Sequence, residues 1–205
     1  MPYLKYVTPL FPVSNSVAIV GSAGKLKNSD HGALIDSFDT VVRFNRAPTN
    51  TFEADVGYKT TLRVSNNHVF KNHREDPKVW PDQPQYFIKN LRNTKILYFA
   101  SDAIPWQNRD KNTHESVETF LFDYSKVGVL RKPLNLKKQI TVGLGFVALC
   151  VETGIVPHLF GFSTSPGDLR DHYWEPRPEA GPYHDVSAES LSLLSLSDQG
   201  KIILH

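Results

Sequence analysis

Short apolar runs that end in glycine or a polar residue mark the first predicted strands of this chain. VAIVG (17–21) is apolar, too short for a helix and closed by glycine, which is typical of a buried strand. After a polar loop that contains glycine, ALIDSF (33–38) predicts a short helix and DTVVRFN (39–45) a second strand. A strand, a loop, a helix and a strand in this order predict an α/β domain.

The middle of the chain has a less regular pattern. TTLRVSN (60–66), QYFIK (85–89) and KILYFA (95–100) predict strands, whereas THESVETFLFDY (113–124) has the spacing of a helix. Residues 67–84 are rich in His, Asn, Asp and Pro, which predicts a surface loop.

The last third alternates clearly between helix and strand patterns. VGLGFVALCVETG (142–154) predicts a helix and HLFGF (158–162) a strand. Residues 187–200 predict an amphipathic helix, and KIILH (201–205) a last strand. We therefore expect one Rossmann-like α/β domain with a mostly parallel central sheet.

Composition narrows the class of protein. The 205 residues suffice for one domain, and 40% hydrophobic and 21% charged residues are ordinary for a globular chain. A net charge of +2 gives no support to nucleic-acid binding. A single cysteine forms no internal disulfide, and no apolar run is long enough to span a bilayer. These features predict a cytoplasmic protein and leave a peripheral membrane contact open.

Gly-Ser-Ala-Gly after the first strand is a candidate site for a nucleotide phosphate or a nucleoside. The spacing is too short for a P-loop, and the Gly-x-Gly-x-x-Gly of a dinucleotide site is absent. A tight strand-to-helix turn is the simpler alternative for this segment taken alone.

The longer stretch VAIVGSAGKLKNSDHGALIDSFDTVVRFNRAPTNTFEADVGYKTT (17–61) resembles the large sialyl motif of the eukaryotic-type sialyltransferases, glycosyltransferase family 29. The matches come in order: Gly-x-x-Gly-x-Leu, Ile-Asp, Val-Arg-x-Asn, Ala-Pro, Glu-Ala-Asp-Val-Gly and Lys-Thr-Thr. So many matching positions in one segment are very improbable by chance.

Three later segments extend the resemblance. ITVGLGFVALCVETGIVPHLFGF (140–162) resembles the small sialyl motif, HYWE (172–175) resembles motif III, and HDVSAE (184–189) matches the His-x4-Glu of the very small motif. All four motifs occur in the family's order. The resemblance implies a GT-A-like variant of the Rossmann-like fold, with an N-terminal leader at residues 1–13 and the catalytic domain at 14–205.

The sequence departs from the family pattern at four positions. Val17 and Gly154 occupy the places of the family's disulfide cysteines, so both partners are absent together. Ser22 replaces the usual asparagine after the first motif glycine, and Val142 replaces a hydroxyl residue. The missing disulfide, and the lack of the family's membrane anchor and stem, add to the expectation of a cytoplasmic enzyme.

The resemblance implies CMP-sialic acid or a near relative as the donor, a glycan hydroxyl as the acceptor, and no cofactor. No Asp-x-Asp pair occurs, so no metal is expected. His184 is the candidate general base, since an imidazole is largely neutral near pH 7. His172 is the candidate contact for the leaving phosphate. Glu189 would orient His184; alternatively Ser187 caps the last helix and Glu189 favours its dipole.

Eight further residues are donor-binding candidates by resemblance. Each has an ordinary structural alternative: packing for the aromatic residues, a turn for the asparagine, and helix capping for the threonine. The eight are Gly21, Ser22, Asn45, Thr141, Val142, Gly143, Tyr173 and Trp174.

Three other functions remain open. A transferase that uses CMP-Kdo would share the mechanism, because the motifs concern CMP and the reaction more than the sugar. A non-catalytic protein that binds CMP-sugars or glycans would keep the fold, although the presence of both histidines argues against it. A dinucleotide oxidoreductase is the most distant alternative, since its glycine fingerprint is absent.

Overall fold

The computed structural model describes residues 16–66, 94–100, 119–123, 134–165, 172–175 and 184–205. Their strands are β1 Val17–Val20, β2 Thr40–Phe44, β3 Leu62–Asn66, β4 Lys95–Ala100, β5 Thr119–Asp123, β6 His158–Phe160 and β7 Ile203–Leu204. Their helices are α1 Gly32–Asp36, α2 Glu53–Val56, α3 Val142–Glu152 and α4 Val186–Asp198, with a 3₁₀ helix at Gly24–Leu26.

The strands form one sheet in the order β5-β4-β3-β2-β1-β6-β7, and every pairing between them is parallel. This confirms the predicted α/β fold with its parallel sheet. The chain builds outward from β1 to β5 on one side, then returns to add β6 and β7 on the other. The order therefore reverses between β1 and β6, and parallel sheets bind ligands at the carboxyl end of such a reversal.

Two apolar cores cover the two faces of the sheet. Val17 and Ile19 point to the face covered by α3 and α4, whereas Ala18 and Val20 point to the face covered by α1. Alternation along a strand causes this division. In α3 every residue from Leu144 to Cys150 is buried, so the helix needs no polar face.

The helix predicted at 113–124 is wrong over its described part, because Thr119–Asp123 is strand β5. Phe120 pairs with Leu97 in the parallel ladder beside β4. Pairing between strands overrides a helical spacing that contained two phenylalanines, a residue type favoured in strands. The predicted loop at 67–84 and strand at 85–89 lie outside the described residues.

The last helix also differs from its predicted amphipathic pattern. Its buried side includes Ser190 and Ser192, while Leu191 is 68% exposed. The two serine hydroxyls donate to main-chain carbonyls one turn earlier, at 3.0 and 2.9 Å, which satisfies them in place. The cap of this helix is Asp185, which accepts from Ala188 N–H, rather than the expected Ser187.

Several residues of the large motif stabilise the fold rather than a site. Arg43 is fully buried in β2 and donates to the carbonyls of Val56, Gly57 and Lys59 at 2.6, 3.2 and 3.0 Å. Asp36 accepts from Lys59 N–H at 2.9 Å. These bonds tie β2 and α1 to the end of α2.

The two positions of the family's disulfide have other structural roles here. Val17 is packed in the core, and Gly154 adopts a left-handed φ of 80° after α3. The lone Cys150 is buried, and burial raises the pKa of its thiol, which suits packing rather than reactivity. Among the described helices, none has the length and apolar character needed to cross a membrane.

Candidate active site

The loop after β1 lies tightly along the carboxyl end of β6. Gly21 N–H donates to the Phe160 carbonyl at 2.7 Å, and Ala23 N–H donates to the Gly161 carbonyl at 3.0 Å. A Cβ added at Gly21 would lie 2.4 Å from the Gly161 oxygen, so only glycine fits. The loop therefore occupies the point where the strand order reverses.

Motif III is joined to this loop through main-chain contacts. Tyr173 N–H donates to the Ser22 carbonyl at 3.1 Å, and His172 forms an antiparallel bridge with Ala23. Tyr173 itself is only 2% exposed, and its hydroxyl donates to the Pro48 carbonyl. Tyr173 thus packs beneath the loop, as in the structural alternative given for it, and its contact with the donor stays a prediction.

His172 has an aromatic ring and a carboxylate as neighbours. The Trp174 ring stacks on the imidazole with centroids 4.4 Å apart and planes 13° apart. The Glu175 Oε1 atom lies 3.4 Å from His172 Nδ1. An aromatic face and a carboxylate both stabilise an imidazolium. Trp174 thus supports His172 directly, whatever else it contacts.

A second charge lies near this group. Burial lowers the pKa of the Arg46 guanidinium, and the Glu175 carboxylate acts in the opposite direction. Arg46 directly follows Asn45 after β2. The Glu175 carboxylate therefore interacts with His172, which is bridged to the loop after β1, and with the residue that follows Asn45.

Thr141 begins α3 and is held by the last helix. Its hydroxyl accepts from Leu144 N–H at 3.2 Å, which confirms the capping role. Its own N–H and hydroxyl donate to Glu189 Oε1 and Oε2, both at 2.7 Å. Glu189 is 6% exposed. Its carboxylate oxygens are thus directed at Thr141, and the expected role of Glu189 in orienting His184 stays a prediction.

His184 is fixed by a main-chain group instead. Its Nδ1 atom lies 2.8 Å from the Gln139 carbonyl oxygen. A carbonyl only accepts hydrogen bonds, so Nδ1 carries the proton and Nε2 of the neutral ring keeps its lone pair. The side chain is partly exposed. This arrangement suits a group that takes a proton from a ligand.

Phe162 connects the two halves of the site. A Cβ at Gly21 would lie 3.1 Å from the Phe162 ring, and one at Gly143 would lie 3.4 Å from it. The ring therefore lies between the β1 loop and the start of α3, where Val142 packs partly buried against the core. The two glycines let the ring approach both backbones.

Asn45 lies at the carboxyl end of β2, beside the same loop. The parallel register pairs Val20, the last residue of β1, with Arg43 of β2, so the loop after β1 starts beside the end of β2. Asn45 has a left-handed φ of 45°, which asparagine tolerates better than most residues. The structure thus brings the predicted site residues to one end of the sheet.

Sequence reasoning missed three participants. The Gln139 contact is made by its main-chain carbonyl, which every residue type carries, so the identity of the side chain does not predict it. Ser65, whose hydroxyl lies against Asn45, follows an unremarkable strand pattern. Phe162 falls within the strand predicted at 158–162, but β6 ends at Phe160, so Phe162 follows the strand rather than belonging to it.

No group of three or more His, Cys, Asp or Glu side chains arranged to hold a metal ion occurs in the part of the chain that the structure describes. The polar groups assembled here are instead two histidines, an asparagine, hydroxyls and the start of an eleven-residue helix. A helix start favours phosphate binding, and imidazoles exchange protons with a ligand.

Comparisons with known proteins point to one family. Residues 14–201 match the family model described as glycosyltransferase family 29 (sialyltransferase). A Bos taurus beta-galactoside alpha-2,6-sialyltransferase 2 is 47% identical over 220 aligned positions, which cover 91% of this chain and 43% of that protein. A Homo sapiens CMP-N-acetylneuraminate-beta-galactosamide-alpha-2,3-sialyltransferase 1 is 28% identical over 199 residues, 90% of this chain and 56% of that one.

The fold is also similar to that of a mammalian sialyltransferase crystallised with Gal-beta-1-3GalNAc-ortho-nitrophenol. The TM-score is 0.64 at 23% identity, over 92% of this chain and 68% of that one. The chain spans about half the length of the curated relatives that it matches. With a family model that covers nearly all of its residues, the chain belongs to glycosyltransferase family 29, the sialyltransferase family.

Proposed function

We propose that this protein transfers sialic acid from CMP-sialic acid to a glycan hydroxyl, by an inverting reaction that needs no metal. The observation that carries the proposal is the hydrogen bond between His184 Nδ1 and the Gln139 carbonyl. It leaves Nε2 as a proton acceptor at the carboxyl end of the sheet, next to the predicted donor site.

The donor would bind where the strand order reverses. The first turn of α3 begins at Val142 and Gly143, and backbone N–H groups at a helix start favour a phosphate. Gly143 has no side chain that would obstruct a phosphate at the start of α3. Asn45 and Ser22 follow the neighbouring strands β2 and β1 and would contact the rest of CMP.

His172 would stabilise the leaving group. As the bond from the anomeric carbon to the phosphate oxygen breaks, its electron pair leaves with CMP and negative charge builds on the phosphate. An imidazolium supported by Trp174 and Glu175 is a donor suited to that charge. The main-chain bridge to Ala23 holds the histidine on the β1 loop.

His184 would activate the acceptor. The hydroxyl proton passes to Nε2 as the hydroxyl oxygen forms its bond to the anomeric carbon. His184 is fixed beside the start of α3, whereas His172 is fixed on the β1 loop. With His184 on the face of the sugar opposite to the leaving phosphate, displacement would invert the anomeric centre.

The relatives favour sialic acid over Kdo and a galactoside as the acceptor. The names of the bovine and human relatives both specify sialyl transfer to a galactose-type sugar. They differ in linkage, and the higher identity to the alpha-2,6 relative favours transfer to the 6-hydroxyl.

The test is CMP release from CMP-sialic acid and from CMP-Kdo, with and without galactoside acceptors. We expect release from CMP-sialic acid that rises with acceptor. His184→Ala should lower it by about a hundredfold or more, because general-base catalysis contributes about 10²–10⁴. His158→Gln is the matched control, since His158 is the first residue of β6 and lies at the amino end of the strands, away from the proposed site at their carboxyl ends.

Each outcome distinguishes one alternative. Preference for CMP-Kdo would replace the donor and keep the mechanism. CMP binding without release from either donor would indicate a binding protein. Full activity of His184→Ala would remove His184 as the base.

A further inference from the structure

Strand β3 holds Asn45 by three separate contacts. Asn45 N–H donates to the Val64 carbonyl at 2.9 Å, and Arg63 Nη1 donates to the Asn45 carbonyl at 2.9 Å. The Ser65 hydroxyl donates to Asn45 Oδ1 at 3.1 Å. The first two contacts fix the main chain in its left-handed conformation, and the third reaches the side chain.

The contact to the side chain has a specific chemical consequence. The two ends of an asparagine amide have nearly the same shape, but one accepts hydrogen bonds and the other donates them. A hydroxyl that donates to Oδ1 selects the orientation in which the carbonyl end faces β3. Ser65 is fully buried, so water does not replace this donor when it is removed.

We propose that Ser65 is a positioning residue for donor binding, which sets the orientation of the Asn45 amide through its hydroxyl. This rests on the proposed function, in which Asn45 contacts CMP. Ser65 lies on β3, one strand further from the reversal point than Asn45, and it acts through Asn45 rather than on the ligand.

The experiment is a double-mutant cycle read by CMP binding, with CMP alone as the probe. Ser65→Ala should weaken CMP binding about three- to tenfold, which is the range expected for loss of one neutral hydrogen bond. Ser65→Thr keeps a hydroxyl on the same carbon and should stay closer to the wild type. In an Asn45→Ala background, Ser65→Ala should have no further effect, because the residue through which it acts is absent.

Ser192→Ala is the matched control for the loss of a buried hydroxyl. Its hydroxyl donates to a carbonyl inside α4 at 2.9 Å, on a helix rather than beside Asn45. Thermal unfolding of all variants separates the two effects. Ser192→Ala should lose stability without a change in CMP affinity.

Three results would overturn the inference. The first is wild-type CMP affinity in Ser65→Ala. The second is a loss of affinity on Ser65→Ala in the Asn45→Ala background that equals its loss in the wild-type background. The third is a loss in Ser65→Thr as large as that in Ser65→Ala. Absence of CMP binding by the wild type would instead overturn the proposed donor site. In that case the Asn45 side-chain amide resonances still test the contact, which predicts that they shift in Ser65→Ala and not in Ser192→Ala.

Discussion

Replacing Glu189 by alanine separates a structural role of this residue from a catalytic one. The substitution removes two hydrogen bonds of 2.7 Å from Thr141 to a carboxylate that is 6% exposed. Hydrogen bonds to a charged group contribute about 1.5–3 kcal/mol each. Thr141 is only partly buried, so water offsets some of the loss, and we expect about 3 kcal/mol of destabilisation in all.

Urea denaturation measures this loss, and Glu152→Ala is the matched control on the other end of α3. Glu189→Gln should lose less than Glu189→Ala, because the amide still offers an acceptor to Thr141 N–H. CMP binding by Glu189→Ala should fall as well, since the start of α3 loses its support. Wild-type stability in Glu189→Ala, combined with lost turnover, would refute this reasoning and return Glu189 to a direct role in catalysis.

Three further predictions concern stability. In urea denaturation, Gly161→Ala should destabilise the protein far more than Gly200→Ala. Both glycines have a φ of 66°, but of the two only Gly161 would place a Cβ against another atom, Leu26 Cδ1 at 2.2 Å. Equal losses of stability in the two variants would contradict this. Arg43→Met should lower the Tm by about 6 °C or more in calorimetry, since the end of α2 loses its buried donor; an unchanged Tm would contradict it. Burial lowers the pKa values of His158 and His205, so the unfolded chain binds more protons than the folded one as the pH falls through about 6.5. The urea midpoint of unfolding should therefore be lower at pH 5.5 than at pH 7.5, and the drop should be smaller in His158→Gln. A midpoint that rises on acidification would contradict this prediction.

The sheet was predictable where apolar runs were short and bounded. β1 and β2 each contain four or five consecutive buried residues, which leaves little choice of structure. β5 was missed because its helical spacing is visible in the sequence and its partner strand is not. Pairing with β4 depends on residues about twenty positions away, which a local pattern does not include.

The site was predictable by position more than by contact. The motifs predict that His172, His184 and Thr141 belong to one site; Thr141 directly precedes α3, and His172 is bridged to the loop after β1. Their partners were not predictable in the same way. Glu189 bonds Thr141 across 48 residues of chain, and His184 is fixed by a carbonyl. The leader at 1–13, the domain limits at 14–205 and the cytoplasmic location stay predictions.

Direct analysis of the product tests the central claim. The protein is incubated with CMP-sialic acid and a galactose-terminated oligosaccharide, and the acceptor is examined by mass spectrometry and then by NMR of the new linkage. We expect one sialic acid added per acceptor, with the anomeric configuration opposite to that in the donor, and loss of this product in His184→Ala. Retention of the donor's configuration, or an unmodified acceptor beside released CMP, would contradict the account.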